Sequence, residues 1–162
     1  MKKTHNRRAD PLLRKTLTPV ERAVLRQKWS HQAVDAQLHA LMGDSVEAIA
    51  DRAGALFYVV LWACHRDQLP TDDVDRRIVR GAVMQLADLD GKTRINDMQR
   101  GAVRSGLEAM ARLAPRLKAD TMALASHSLY YIARERPVVL RDFPPVDFPA
   151  AHNPEARKDA NP

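Results

Sequence analysis

Apolar residues recur at helical spacing in five stretches of this chain, and residues that favour helix ends stand between the stretches. The first stretch opens at Thr18-Pro19, where Thr18 can cap the helix and Glu21 stands at the capping-box position. This helix is predicted to run to Met42, with Gly43 as its stop.

The second stretch is the most apolar part of the chain. Its start is predicted at Asp44, with Glu47 three residues later, and Leu69-Pro70 ends it. Apolar side chains occur on every side of this helix, which is typical of the middle of a bundle. Its predicted inner positions are Val46, Ile49, Ala50, Ala53, Leu56, Phe57, Val60, Leu61 and Cys64, with Tyr58, Val59 and Trp62 on the other side.

Three further helices follow. The third begins at Thr71 and its acidic neighbours and ends near Gly91; its predicted inner residues are Val74, Ile78, Ala82, Leu86 and Leu89. The fourth begins around Asn96 and meets a boundary at Pro115; its predicted inner residues are Met98, Val103, Leu107, Met110 and Leu113. The fifth runs from about Arg116 or Asp120 to Arg136 and carries Met122, Leu129, Tyr130 and Ile132.

In the first helix, His31 shares a face with Val20, Val24, Val34 and Leu38. We therefore expect His31 to be a hydrogen-bonded core or interface residue. Trp29 falls on the opposite face of a straight helix, so we expect it to pack on a second subunit or on the C-terminal tail.

The composition favours one helical domain. The chain has 162 residues, enough for one core, and its apolar content comes mainly from alanine and leucine, which are helix formers. We predict an all-α fold, a single bundle of about five helices over residues 17–136. A basic, flexible N-terminal arm (1–16) precedes the bundle, and an extended, proline-rich tail (137–162), disordered at its end, follows it.

Almost all of the net charge lies in the N-terminal arm. Its first fifteen residues carry +5 of the chain's +6, and a cationic arm on a nearly neutral body suggests contact with a polyanion. The candidate nucleic-acid contacts in the arm are Lys2, Lys3, Arg7, Arg8, Arg14 and Lys15. Docking on an acidic protein, or a simple solubility role, are the alternatives.

A second basic row lies on the fourth helix. Arginines at four-residue steps could follow a phosphate backbone, although a solvated face with an Arg104–Glu108–Arg112 network is the alternative that we favour. The row comprises Arg100, Arg104, Arg112 and Arg116.

The sequence Asp-Phe-Pro occurs twice in the tail, around Phe143 and Phe148. Each phenylalanine could anchor in a groove of a partner protein. Alternatively, and slightly favoured because the chain has few other aromatic residues, the two rings staple the tail to its own bundle.

No catalytic, metal or cofactor site is predicted. His31 and His39 are too far apart along one helix, about 12 Å, to share an ion. Cys64 and His65 point in different directions, and no glycine-rich phosphate loop occurs. A single cysteine agrees with a reducing compartment, and the longest apolar run is too short to cross a bilayer. We expect a cytoplasmic non-enzyme without a cofactor.

Parts of residues 2–130 carry a loose resemblance. The opening from Lys2 to Pro11, the segment Ala48 to Arg52 and the helix pair from Gly91 onward resemble short, uncharacterised proteobacterial proteins found near phage and plasmid genes. Some of these are labelled Fis-type regulators. The join at 42–44 links helices much longer than those of a helix-turn-helix motif. The resemblance implies a mobile-element context and no specific activity or site.

Together these features predict a regulatory or accessory binding protein that engages nucleic acid, or a nucleic-acid machine, through its basic arm. The alternative is a protein-binding inhibitor or adaptor, such as an anti-defence factor, acting through a helical face or the Phe143/Phe148 tail. Possible partners are therefore nucleic acid or a host- or element-encoded protein, and a homo-oligomer is left open. No membrane partner is expected.

Overall fold

The structure, a computed structural model, describes residues 16–42 and 45–144. Within these ranges the chain forms five α-helices and two short 3₁₀ turns, and no strand. The helices are α1 (Pro19–Met42), α2 (Val46–Arg66), α3 (Val74–Ala87), α4 (Asp97–Leu113) and α5 (Ala119–Glu135). The 3₁₀ turns are Ala114–Arg116, at the boundary predicted from Pro115, and Leu140–Asp142. The all-α bundle predicted from the sequence is confirmed.

Polar side chains cap the first four helices, which satisfies backbone N–H groups that have no partner inside the helix. At α1, Glu21 N donates to Thr18 Oγ1 (3.2 Å) and Thr18 N donates to Glu21 Oε2 (2.8 Å), as the capping box predicted. At α2 the cap is Ser45, one residue after the predicted start at Asp44, which lies with Gly43 outside the described residues. The caps are Thr18, Ser45, Asp73 and Asn96.

Helix α2 forms the centre of the bundle, because each of the other four helices packs against it. Its burial follows from its composition: an apolar surface on every side requires neighbours on every side. Phe57, Val60 and Leu61 are fully buried, and Tyr58 and Val59 on the other side are buried as well.

Helices α3 and α4 form an antiparallel hairpin with the most extensive contact of any helix pair. Close approach requires small residues where the helices cross, and here Gly106 of α4 lies against Ala82 of α3 and the ring of Phe57. A Cβ atom on Gly106 would stand only 2.4 Å from Ala82 Cβ and 2.8 Å from Phe57 Cζ. Gly106 therefore sets how closely the hairpin packs on α2.

Two predicted inner positions were wrong. Val74 and Met98 are exposed, and so is Tyr130, one of the apolar residues named for the fifth helix. Val74 and Met98 lie in the first turns of their helices. In α3 the predicted inner residue Ala82 is buried, and Val79 and Val83 are buried as well, so the inner face includes positions that were not predicted. The inner face of α4 after its first turn was predicted correctly at Val103, Leu107, Met110 and Leu113.

The segment after α5 folds back onto the bundle. Residues 137–139 are irregular, and the 3₁₀ turn that follows brings Phe143 and Pro144 into buried positions. No helix in the described ranges is long and apolar enough to cross a membrane.

Candidate interaction surfaces

Helix α1 has two opposite apolar faces, and the inner one consists of one large residue and three small ones. Trp29, Ala33, Ala36 and Ala40 are buried. The alanines let α1 approach its neighbours closely, while Trp29 fills the space near Leu56 and Val59 of α2. An indole has a larger surface than an aliphatic side chain. Trp29 therefore buries more area than any single valine or leucine of the opposite face could bury in its place.

The outer face of α1 carries larger aliphatic residues that are exposed to solvent. The exposed fractions are 72% for Val20, 60% for Val24, 55% for Val34, and 51% for both Leu38 and Leu41. We call the residues Val20, Val24, Gln27, His31, Val34, Leu38 and Leu41 the outer row; Gln27 and His31 at its middle are exposed as well.

This arrangement is the reverse of the one expected for Trp29. The indole packs inside its own bundle and not on a second subunit or the distal tail, while the valine and leucine stripe faces outward. His31, on the same stripe, is an exposed residue and not a core one. A second stripe could have been seen in the sequence by counting Ala33, Ala36 and Ala40 as apolar alongside Trp29.

A groove beside the outer row separates α1 from α2 and α5. It has a volume of about 400 Å³, and its apolar walls come from Leu25, Trp29, Leu56, Val59 and Leu129. An ion pair also lines the groove, with Arg52 Nη1 2.6 Å from Asp35 Oδ2. The groove is large enough to receive one or two apolar side chains of a partner.

Three of the four arginines in the basic row on α4 contact this chain's own acceptors. Arg100 donates to the carbonyl oxygen of Ala40 near the end of α1. Arg112 Nη2 lies 2.8 Å from Asp75 Oδ1, and Arg116 Nη2 lies 2.5 Å from Asp73 Oδ2. These residues tie α4 to α1 and α3, so the positive charge of Arg112 and Arg116 is largely neutralised.

Arg104 differs from the other three. It is exposed and has no ion pair within the described ranges, and the expected network with Glu108 and Arg112 is replaced by the pairs to α3. The six basic residues of the N-terminal arm lie outside the described residues, as does Phe148. Whether any of these residues contacts nucleic acid or a partner stays a prediction.

Phe143 is part of this chain's own core. Its ring meets the Tyr58 ring edge-on with 5.4 Å between centroids, and Trp62 Nε1 donates to the carbonyl oxygen of Asp142 at 2.9 Å. Arg136 holds the carboxylate of Asp142 through two hydrogen bonds and lowers the pKa of that carboxyl group. Residues 136–143 therefore form a stapled segment, and the Phe143 ring is not exposed for a partner.

An exposed aromatic cluster lies on α5. The rings of Tyr130 and Tyr131 are 5.8 Å apart, His127 lies 4.7 Å from Tyr131, and the Arg134 guanidinium lies 5.6 Å from the Tyr130 ring centroid. The sequence interpretation named Tyr130 among the apolar residues of the fifth helix and missed this cluster. Successive aromatic residues at 130 and 131, which cannot both face inward, were the available signal.

The described residues do not bring together a set of groups for metal chemistry. His39 Nε2 lies 3.5 Å from Asp35 Oδ1, and no group of three or more His, Cys, Asp or Glu residues in ranges 16–42 and 45–144 is placed to hold a metal ion. Cys64 is buried.

Comparisons with protein-family models, curated proteins and solved structures gave no match for this chain.

Proposed function

We propose that this protein is a non-enzymatic helical adaptor that binds a protein partner through the outer row of α1. One observation carries the proposal: five aliphatic side chains on one helix face, each at least half exposed, run nearly the whole length of α1. The row forms two apolar patches, one on each side of Gln27 and His31. Exposed apolar patches bordered by polar residues are typical of protein-interaction sites.

The energetics support the same interpretation. Full burial of an aliphatic side chain contributes about 1.5–3 kcal/mol, and residues that stay at least half exposed forgo half or more of it. Trp29 and the three alanines already attach α1 to the bundle, so the outer row is not needed to hold the helix in place. The valines and leucines of the outer row are not needed for folding, and contact with a partner best explains why they are there. The resemblance to phage- and plasmid-associated proteins fits an accessory or anti-defence role for such an adaptor.

A pull-down with three tagged full-length baits tests the proposal. The baits are the wild-type chain, the double variant Val24→Glu/Leu38→Glu, and Arg26→Glu, whose site is exposed on α1 but outside the outer row. The prey is lysate of the cell that encodes the chain, supplemented with an untagged second copy. We expect the wild type and Arg26→Glu to retain the same protein and the double variant to lose it. Identical sets on all three baits would overturn the proposal.

A second candidate function, nucleic-acid binding, is favoured by the charge of the N-terminal arm. Six basic residues against one acidic residue within fifteen positions provide a polyanion contact that needs no folded site. In the basic row, Arg112 and Arg116 pair with carboxylates and Arg100 donates to a carbonyl oxygen. Arg104 has neither kind of partner in the described part of the chain. It is therefore the best candidate on α4 for an added phosphate contact.

Fluorescence anisotropy with short labelled DNA and RNA, at low and near-physiological salt, tests this candidate. Neutralising Lys2, Lys3, Arg7 and Arg8 should weaken binding and flatten its salt dependence, because fewer counterions are released. Arg104→Gln should weaken binding modestly without changing stability, whereas Arg112→Gln should change stability and not binding. Equal affinity of the wild type and the arm variant would contradict a nucleic-acid role for the arm.

A further inference from the structure

We propose that the partner of the outer row is a second copy of this chain, with the two α1 helices packed antiparallel across a two-fold axis near residue 29. This inference rests on the proposed function, since it assigns the occupant of the same face. The argument uses the spacing of the row, the order of its residues, its charge and its area.

The spacing of the outer row is that of a coiled-coil seam. Its seven positions follow one another at intervals of four, three, four, three, four and three residues. This pattern keeps the row on one side of the helix over the whole of α1, as the a and d positions of a coiled coil do. The inner face of Trp29, Ala33, Ala36 and Ala40 lies nearly opposite, so a second helix can pack on the row without disturbing the bundle.

The order of residues along the row is self-complementary. Apolar residues occupy both ends, and Gln27 and His31 occupy the middle. A two-fold axis near residue 29 places Val20 against Leu38 of the partner subunit and Val24 against Val34 of the partner subunit. Gln27 then meets His31 of the partner subunit, so each polar residue faces a polar residue. A two-fold interface of this kind uses the same patch on both copies.

Charge favours the antiparallel orientation. In a parallel pair, both N-terminal arms, each carrying +5, would enter the dimer at the same end. In the antiparallel pair they enter at opposite ends of α1, about 30 Å apart, which is well beyond the screening length of about 8 Å at physiological salt. The antiparallel register brings Lys28 of the two copies near each other, but exposed like charges on long side chains repel only weakly in water.

The area is sufficient for a stable pair. The exposed aliphatic side chains of the row, together with Met42 beside it, present about 600 Å² per copy, close to the roughly 800 Å² per partner of a standard interface. Polar and charged side chains along the edges of the row supply the remainder. A parallel pair, or a helix of an unrelated protein, are the alternative arrangements that the experiments separate.

Sedimentation equilibrium of the full chain at micromolar concentrations tests the dimer. We expect the wild type and Arg26→Glu to have twice the chain mass of 18.2 kDa. Val24→Glu/Leu38→Glu should be a monomer with unchanged helical circular dichroism, its dimer Kd raised at least about 100-fold by unpaired carboxylates in the seam. A monomeric wild type, or a dimer that survives the double variant, would overturn the inference.

Cysteine cross-linking tests the orientation. Under mild oxidation we expect a mixture of Val20→Cys and Leu38→Cys chains to form a disulfide-linked dimer, while each variant alone does not. Cross-linking of each variant with itself would overturn the antiparallel arrangement. Failure of the dimer can be separated from failure of the adaptor function: a monomeric chain whose wild-type bait still retains another protein, lost with the double variant, overturns this inference and leaves the proposed function standing.

Discussion

The guanidinium group of Arg116, at the end of the 3₁₀ turn after α4, lies 2.5 Å from the carboxylate of Asp73, the residue that caps α3. The same carboxylate accepts a hydrogen bond from Arg76 N at 3.1 Å. The hydrogen bond from Arg116 favours the charged carboxylate and lowers the pKa of Asp73. One side chain therefore begins α3 and closes the open end of the α3–α4 hairpin.

Removal of the Asp73 carboxylate should destabilise the protein in a pH-dependent way. Asp73→Ala is expected to lower the free energy of unfolding by about 1–2 kcal/mol at pH 7, since it removes a helix cap. Asp73→Asn should cost less, because an amide oxygen can still cap the helix.

The pH dependence follows from the lowered pKa of Asp73. The charged form stabilises the fold above the unfolded-state pKa of about 3.8, and this contribution is lost as the pH falls and Asp73 becomes protonated. The difference between the wild type and Asp73→Asn should thus shrink between pH 7 and pH 3 in urea unfolding followed by circular dichroism. A difference that stays constant would contradict the ion-pair explanation.

Gly106→Ala should destabilise the protein although alanine is the better helix former. The added methyl would clash with Ala82 and Phe57, and overpacking of a core typically costs about 1–3 kcal/mol, more than the gain of about 1 kcal/mol in helix propensity. Gly101→Ala is the matched control, because nothing lies within 4 Å of its Cβ position and it should stabilise α4. In thermal unfolding, Gly106→Ala should have a lower Tm than the wild type and Gly101→Ala a higher one. A higher Tm for Gly106→Ala would show that α3 and α4 do not pack this closely.

Phe143→Ala should destabilise the folded bundle and not only release a tail. Loss of a buried phenylalanine typically costs about 3 kcal/mol or more, and here it also removes the contact with Tyr58. Tyr130→Ala, at an exposed site, should change stability by less than about 1 kcal/mol. Phe143→Ala should also shift the fluorescence of Trp62, since the indole loses its hydrogen bond to Asp142 when the stapled segment detaches. Unchanged stability of Phe143→Ala would mean that the ring is exposed in solution.

The orientation of α1 can be tested inside one chain by comparing its two faces. Trp29→Ala should lower the free energy of unfolding by about 3 kcal/mol, because it leaves a cavity beside α2. Val24→Ala should change it by less than about 0.5 kcal/mol at protein concentrations where the chain is monomeric, because the side chain is exposed. If Val24→Ala destabilised the protein more than Trp29→Ala, the valine and leucine face of α1 would be the buried one, as expected from the sequence alone.

Local rules predicted the helix ends well. The capping box at Thr18 and Glu21 and the start of α4 near Asn96 were predicted from the order of residues, since a helix start depends on contacts within four residues. The apolar face of α4 beyond its first turn was also predicted, because its large residues lie on a single stripe. In α1 two stripes compete, and periodicity alone does not say which one is buried.

For the arginines of the basic row, too, the sequence predicted the spacing but not the contacts. Their four-residue spacing could be read from the sequence, but not that Arg112 and Arg116 meet Asp75 and Asp73, residues about forty positions earlier. A charged row and a set of intramolecular ion pairs have the same sequence pattern. Only the packing of α3 against α4 distinguishes them, and within the described ranges it leaves Arg104 without an ion pair.

The sequence by itself determined the helical class, the number of helices, most of their ends and the concentration of charge in the N-terminal arm, because these depend on neighbours along the chain. Tertiary structure decided which face of α1 is buried, where Phe143 lies and which arginines are neutralised. Those outcomes depend on how well Trp29, Gly106 and Phe143 fit surfaces far away in sequence. The exposed outer row follows from that competition, since α1 can bury only one of its two apolar faces against its own bundle.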